Sequence, residues 1–302
     1  MFITLAKVMI PVMLAVKVAD DIGAVSIAGK LMAPLMGLFN LPPEAAIIWV
    51  TTILTGIYGG IASIAGLAHN IDLTAGQLSA LAAMMLISHN IPVEQSIVRK
   101  AGASFAGTAT LRIIVAAVYG AIISWTSRAT GIMSEEANLM WLRGTDTVNS
   151  NSDNYFDWLV STSYALGITF LIIVALVLIL DALEHLGITE RFTKAITPLL
   201  RISGLNEHAA PVTTVGVLLG LSYGGALIIE ESERRQFSAR TRLLSLSWLS
   251  LCHSLIEDTL LLAAIGANLW VILVGRVAVT LIVIAILAKV THTYYSNMVQ
   301  RT

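Results

Sequence analysis

The two halves of this chain repeat one another. At a spacing of 164 residues, Gly23 meets Gly187, Lys30 meets Lys194, and Pro34-Leu35 meets Pro198-Leu199. Leu41 pairs in the same way with Leu205, Ala45-Ala46 with Ala209-Ala210, and Gly56 with Gly220. His89 then meets His253, Gly102 meets Gly266, and Arg112 meets Arg276. Tyr58-Gly59-Gly60 matches Tyr223-Gly224-Gly225 after a slip of one residue. Doubled membrane units are a common plan of secondary transporters, with the site formed between the copies. Internal repeats also occur in proteins that move nothing, so the repeat sets the architecture and leaves the function open.

Composition puts that architecture in a bilayer. The chain is 56% hydrophobic and 12% charged, with a mean hydropathy of +0.81. A soluble protein of 302 residues cannot hide that much apolar surface, so an integral membrane protein is expected. The formal net charge of −1 offers no basic field for nucleic acid. Cys252 is the single cysteine, which excludes an intrachain disulfide. The segment Met1–Val18 has the length of a signal peptide. It carries Lys7 and Lys17, however, and corresponds to Tyr164–Leu180 in the second copy, so it reads as a span.

Each copy reads in the same order. A first span, roughly Phe2–Ala19 or Leu159–Leu183, ends in acidic residues. A short amphipathic stretch follows, Ile27–Leu38 or Phe192–Ile202, too short and polar to cross. Glu44–Leu67 and Ala209–Glu230 are long enough to span and carry glycines at helical spacing. Those glycines fit tight helix contact, or a helix break at Tyr-Gly-Gly that exposes backbone to a substrate. The third element is an apolar arm that meets a polar run: Leu78–Ser88 before His89, and Leu243–Cys252 before His253. An arm of about 11 residues makes roughly 16 Å of helix against a core of about 30 Å. A re-entrant hairpin with its tip at mid-membrane is expected, with one kinked span as the rival. A last span, Thr108–Trp125 or Leu269–Ala288, closes each copy and carries Arg112 or Arg276.

The fold class expected is therefore an all-α polytopic membrane protein with spanning helices and a re-entrant hairpin in each repeat. Three crossings plus a hairpin make an odd count, so the repeats would be inverted. The divisions fall at 1–127, a polar and acidic extramembrane linker at 128–157, and 158–302. An external linker places the N-terminus on the cytoplasmic side of a multi-pass protein. Its small-residue faces suggest a homo-oligomer.

The chemistry concentrates at the two histidines. Polar groups at membrane depth need a partner or a water-filled cavity. Glu94 lies five residues after His89, Asp258 five after His253, and Glu257 four after His253 on the same face of any helix there. His89, Asn90, Glu94, His253, Ser254, Glu257 and Asp258, with Tyr58-Gly59-Gly60 and Tyr223-Gly224-Gly225, form the candidate solute or ion site. The alternative is that these groups satisfy frayed backbone at a turn. Arg112 and Arg276 read more readily as structural or gating groups that snorkel or pair with a carboxylate. The sequence lacks His-Glu-x-x-His, Gly-x-Ser-x-Gly and a P-loop. No enzyme and no ATP site are expected, no cofactor is implied, and no metal-ligand spacing is diagnostic.

Pro34-Leu35 with Leu41, Tyr58-Gly59-Gly60, and Ser88-His89-Asn90-Ile91 with Glu94 resemble the nucleoside-recognition, or Gate, family. Pro198-Leu199, Tyr223-Gly224-Gly225, and Cys252-His253-Ser254-Leu255 with Asp258 repeat the pattern. The family is similar to the core of concentrative nucleoside transporters and to spore maturation proteins A and B. The resemblance implies paired inverted units, re-entrant hairpins and a polar central site. The expected function is an ion-coupled secondary transporter of a small polar, nucleoside-like solute in the bacterial inner membrane, driven by H+ or Na+. A metal or proton channel, or a non-transporting membrane assembly factor, are the alternatives.

Overall fold

In a computed structural model of the chain, residues 2–68, 71–137, 139, 197–205, 209–235 and 237–299 are described, with scattered positions between 156 and 185. The described residues are mostly helical and contain no strand. Helices α1 (Phe2–Asp21), α2 (Ala24–Leu38), α3 (Ala45–Thr55), α4 (Ile57–Leu67), α5 (Ala75–Ser88), α6 (Ile91–Lys100) and α7 (Phe105–Thr130) fill the first half. The second half contains α8 (Ala209–Leu219), α9 (Leu221–Arg235), α10 (Ala239–Leu251), α11 (Glu257–Ala264) and, after a π turn at Val271–Gly275, α12 (Arg276–Val299). Every described position between Phe156 and His185 is helical. Most of 138–155 and all of 186–196 lie outside the described residues, and with them most of the linker and the start of the stretch at Phe192–Ile202.

Helix boundaries recur at the spacing of the sequence repeat. Helices α3 and α8 begin at Ala45 and Ala209, α4 and α9 at Ile57 and Leu221, and α5 and α10 at Ala75 and Ala239. The reason is local chemistry at equivalent positions. Thr74 caps α5, its hydroxyl accepting from the Gln77 N–H while the Gln77 side chain accepts from the Thr74 N–H. Ser238 caps α10, its hydroxyl accepting from the Thr241 N–H. Left-handed backbone recurs in pairs as well: Gly56 with Gly220, Asn90 with Ser254, and Gly102 with Gly266. Each such residue ends a run of helix, because left-handed φ values break the hydrogen-bond ladder. Removing a cap of this kind costs about 1 kcal/mol. Thr74→Ala is therefore expected to lower the melting temperature of the purified protein, and an unchanged melt would contradict the cap's role.

These boundaries correct the sequence reading in two places. Glu44–Leu67 and Ala209–Glu230 are not single spans. Each breaks at a glycine, Gly56 with φ 93° and Gly220 with φ 98°, into two packed helices. A Cβ placed on Gly216 would lie 2.7 Å from the Gly224 Cα, and one on Gly60 would collide with the Thr52 side chain. Residues eight apart along a continuous helix sit about 12 Å apart, so the chain reverses at both glycines. A reversal within the second element is thus an addition to the sequence reading. Finally, the Tyr-Gly-Gly motifs are one residue out of register. Because α4 and α9 each begin just after the hinge glycine, Ser222 takes the place of Tyr58, and Gly224 that of Gly60.

The chain forms two compact units that do not follow the halves. One is built from Met1–Asn90, Ala116–Leu178 and Leu260–Ile272. The other is built from Ile91–Val115, Ile179–Thr259 and Leu273–Thr302. In the first, α4 packs on α1, with Gly66 against Val16, and Gly120 of α7 lies against Met84 of α5. Trp49 Nε1 donates to Ser88 Oγ at 2.8 Å. In the second, α6 packs against α9 and α10, with Ile97 over Gly225, and Trp248 Nε1 donates to Ser203 Oγ at 2.8 Å.

Two segments, Phe105–Thr130 and Val271–His292, are long and apolar enough to cross a membrane. Both turn apolar residues outward: Ile114, Val118 and Ile122 on one, Ile282, Ile286 and Val290 on the other. A row of exposed branched residues along a helix is unfavourable in water and natural against lipid.

Candidate functional site

Each unit brings its hairpin tip against a helix break. In the first unit, Gly56 lies beside the Asn90 side chain, with a Cβ on the glycine 3.6 Å from the Asn90 Cβ. The Asn90 N–H donates to the Thr52 carbonyl at 3.0 Å. In the second unit, Gly220 lies beside Ser254, with a Cβ on the glycine 3.0 Å from the Ser254 Oγ. The Leu255 N–H donates to the Val217 carbonyl at 3.0 Å. Asn90 and Ser254 hold φ values of 50° and 45°, a region a non-glycine residue enters only where its surroundings fix it. The breaks are therefore built features, each tying a polar residue to a hairpin tip.

The histidines that precede the breaks are anchored alike. His89 Nδ1 donates to the carbonyls of Leu86 at 3.1 Å and Met85 at 3.2 Å. His253 Nδ1 donates to the Leu249 carbonyl at 2.6 Å. A carbonyl can only accept, so these contacts call for a proton on Nδ1 in both rings.

The second unit buries a charge cluster. Arg112 Nη1 donates to Glu94 Oε2 at 2.5 Å, and His253 Nε2 lies 3.1 Å from Glu94 Oε1. Arg112 is wholly buried, His253 is 2% exposed and Glu94 7%. Arg276 is wholly buried too; its Nε donates to the Leu251 carbonyl and its Nη2 to the His253 carbonyl, each at 3.0 Å. It thereby satisfies carbonyls left open where α10 stops. Its Nη1 has no protein partner. Beside Glu94, the Gln95 side-chain carbonyl accepts from the Thr108 hydroxyl at 2.5 Å.

Several expected site residues fall differently. His253 and Glu257 do not share a helix face, because the chain leaves helix after Leu251 and resumes at Glu257. His253 Nε2 instead meets Glu94, 159 residues away in the other half of the chain. Glu257 and Asp258 open α11 and are partly exposed, and the Asp258 N–H donates to the Ser254 carbonyl. Gly59, Gly60, Gly224 and Gly225 are contact points where a Cβ would meet Thr55, Thr52, Gly216 and Ile97 respectively. Packing accounts for these four. The Tyr58 side chain is half-buried, and that of Tyr223 lies outside the described residues. Arg112 does pair with a carboxylate, as the structural reading expects.

Sequence reasoning missed Ser245, Ser247 and Ser250 on α10. All three are wholly buried, with hydroxyls that have no protein partner. The signal was available, since the first copy has Leu81, Ala83 and Leu86 at these positions.

The profile of the family described as nucleoside recognition, the Gate family, matches residues 2–109. A protein of Bacillus subtilis (strain 168), the uncharacterized membrane protein YvoD, is 29% identical over 303 aligned positions, covering 96% of this chain and 90% of that one. No solved structure matches.

Proposed function

We propose, with a Gate nucleoside-recognition domain over residues 2–109 as the premise, that this membrane protein is an ion-coupled secondary transporter of a small polar solute. Nucleosides are the first class to test. The observation that carries the reading is the doubled pairing of a hairpin tip with a broken helix, Gly56 with Asn90 and Gly220 with Ser254. Interrupted helices at membrane depth free backbone groups to bind solutes and ions, which is how many secondary transporters build their sites. Buried ionisable groups, here Glu94, Arg112, His253 and Arg276, are costly at membrane depth and mark such sites.

The topology in this proposal counts α1, the interrupted pair α5–α6 and α7 as crossings and the α3–α4 pair as a re-entrant hairpin. The count per half is odd, so the repeats are inverted, the N-terminus is cytoplasmic and the chain is multi-pass in the bacterial inner membrane. Its outward apolar faces meet lipid and further copies of itself. The cation-channel alternative is disfavoured at Glu94, where Arg112 holds one oxygen and repels a second cation.

Uptake of radiolabelled nucleosides into proteoliposomes tests the reading. His253→Ala and Glu94→Gln are each expected to cut uptake on the order of tenfold or more, the loss of about 1.4 kcal/mol of interaction. If those two variants, His89→Ala and Asp258→Asn all transport like the parent, the reading fails.

A further inference from the structure

The contact between His253 and Glu94 has a proton balance that neutral histidine cannot meet. His253 Nδ1 lies 2.6 Å from the Leu249 carbonyl, which only accepts. His253 Nε2 lies 3.1 Å from Glu94 Oε1. A neutral ring carries one N–H and one lone pair. With the proton on Nδ1, the Nε2 lone pair would face a carboxylate oxygen. With the proton on Nε2, the Nδ1 lone pair would face a carbonyl at 2.6 Å. Either tautomer leaves one contact repulsive in a site that water does not reach. One added proton removes the conflict, either as imidazolium beside carboxylate or as a carboxyl O–H donating to Nε2. The result is a charge-assisted bond where a repulsion stood.

Charged groups of the same unit stand around the contact. Glu94 Oε2 is taken by Arg112 of α7. Arg276 of α12 donates to the backbone carbonyl of His253 and so cannot protonate the ring. Asp258 and Glu257 open α11, directly after the segment that carries His253. A sodium ion at Glu94 would need several free oxygens, and Oε2 is already held by Arg112.

We propose that the Glu94–His253 contact is a proton carrier. It binds one proton as α6 and α10 come together and releases it to water as they part, so the ion coupled to transport is H+ and not Na+. The coupling clause rests on the transport reading above; the proton site does not.

Two measurements separate them. In the first, the full chain is labelled with 15N-histidine, placed in lipid nanodiscs and studied by NMR at pH 8, with infrared spectra of the carboxyl region alongside. His253→Gln identifies the ring among the six histidines. The expected result is either two protonated ring nitrogens on His253 or a protonated-carboxyl band that Glu94→Gln removes. In Glu94→Gln the amide can donate to Nε2 and its oxygen can accept from Arg112, so the ring becomes neutral while the fold is kept. A neutral His253 with no carboxyl band in the parent protein overturns the proposal, and this readout needs no variant of Glu94 to fold.

The second measurement drives uptake of an accepted nucleoside with a pH gradient or with a sodium gradient. Acceleration by the pH gradient alone, lost in Glu94→Gln, supports H+ coupling. Dependence on sodium overturns it. A proton present in the first measurement with no nucleoside moved in the second defeats the transport reading and its coupling, and leaves the proton site standing.

Discussion

Replacing Arg112 by methionine is expected to destabilise the protein by about 3–5 kcal/mol, because it leaves Glu94 charged, buried and short of its strongest partner. Arg112 has no exposed surface and Glu94 very little, so water cannot replace the lost donor. Glu94→Gln in the Arg112→Met background is expected to recover most of that loss, since an amide costs far less to bury than a carboxylate. The melting temperature of the detergent-purified single and double variants, with size-exclusion profiles, measures this. If Arg112→Met melts like the parent, the pair is not the lock described here. If the double variant is as unstable as the single, the loss comes from packing around the methionine and not from an orphaned charge.

A comparable effect is expected at the second hairpin. Gly216 and Gly224 bring the backbones of α8 and α9 into contact, and a Cβ on Gly216 would also lie 2.6 Å from Leu249 of α10. Gly216→Val forces three helices apart in a packed interior. Overpacking of this kind costs about 1–3 kcal/mol, and the upper end is expected here because one obstacle is backbone that cannot rotate away. Gly37→Ala is the control, since nothing lies within 4 Å of its added Cβ and alanine favours helix by about 1 kcal/mol. Melting curves should show a large drop for Gly216→Val and no loss for Gly37→Ala. Equal melts would mean that the hairpin arms are not in contact.

Much of the architecture was legible because the repeat constrains both halves at once. Gly56 and Gly220, Thr74 and Ser238, and His89 and His253 hold equivalent positions in the sequence and mark equivalent helix ends in the structure. What stayed hidden was tertiary. A lone glycine reads the same whether it bends a span or reverses it, and only the approach of Gly216 to Gly224 tells the two apart. The slip that aligned Tyr58 with Tyr223 favoured a conspicuous tripeptide over the register of the helices. The partner of His253 was sought within five residues, by the logic of a single helix. A break at Ser254 removes that helix, and the arm that supplies Glu94 comes from the other half of the chain. No spacing rule reaches across 159 residues, although Arg112 needed a carboxylate and Glu94 was a named candidate.

The asymmetry between the halves carries more weight than the repeat suggested. The first copy fills α5 with Leu81, Ala83 and Leu86, all wholly buried, where the second sets three buried serine hydroxyls. Serines without a protein partner in an apolar helix cost stability, and a polar solute would offset that cost. The buried polar groups therefore weigh toward α10, the helix that ends just before His253.

The most direct test is the melting temperature of the purified protein against a panel of nucleosides, organic acids, amino acids and divalent metals. A ligand that binds only the folded state raises the melt by mass action, by about 2.7 kcal/mol of stability at a hundredfold excess over its Kd. The account predicts a shift with a polar organic solute, nucleosides first, that disappears in His253→Ala. No shift across the panel, or one that survives His253→Ala unchanged, would contradict it.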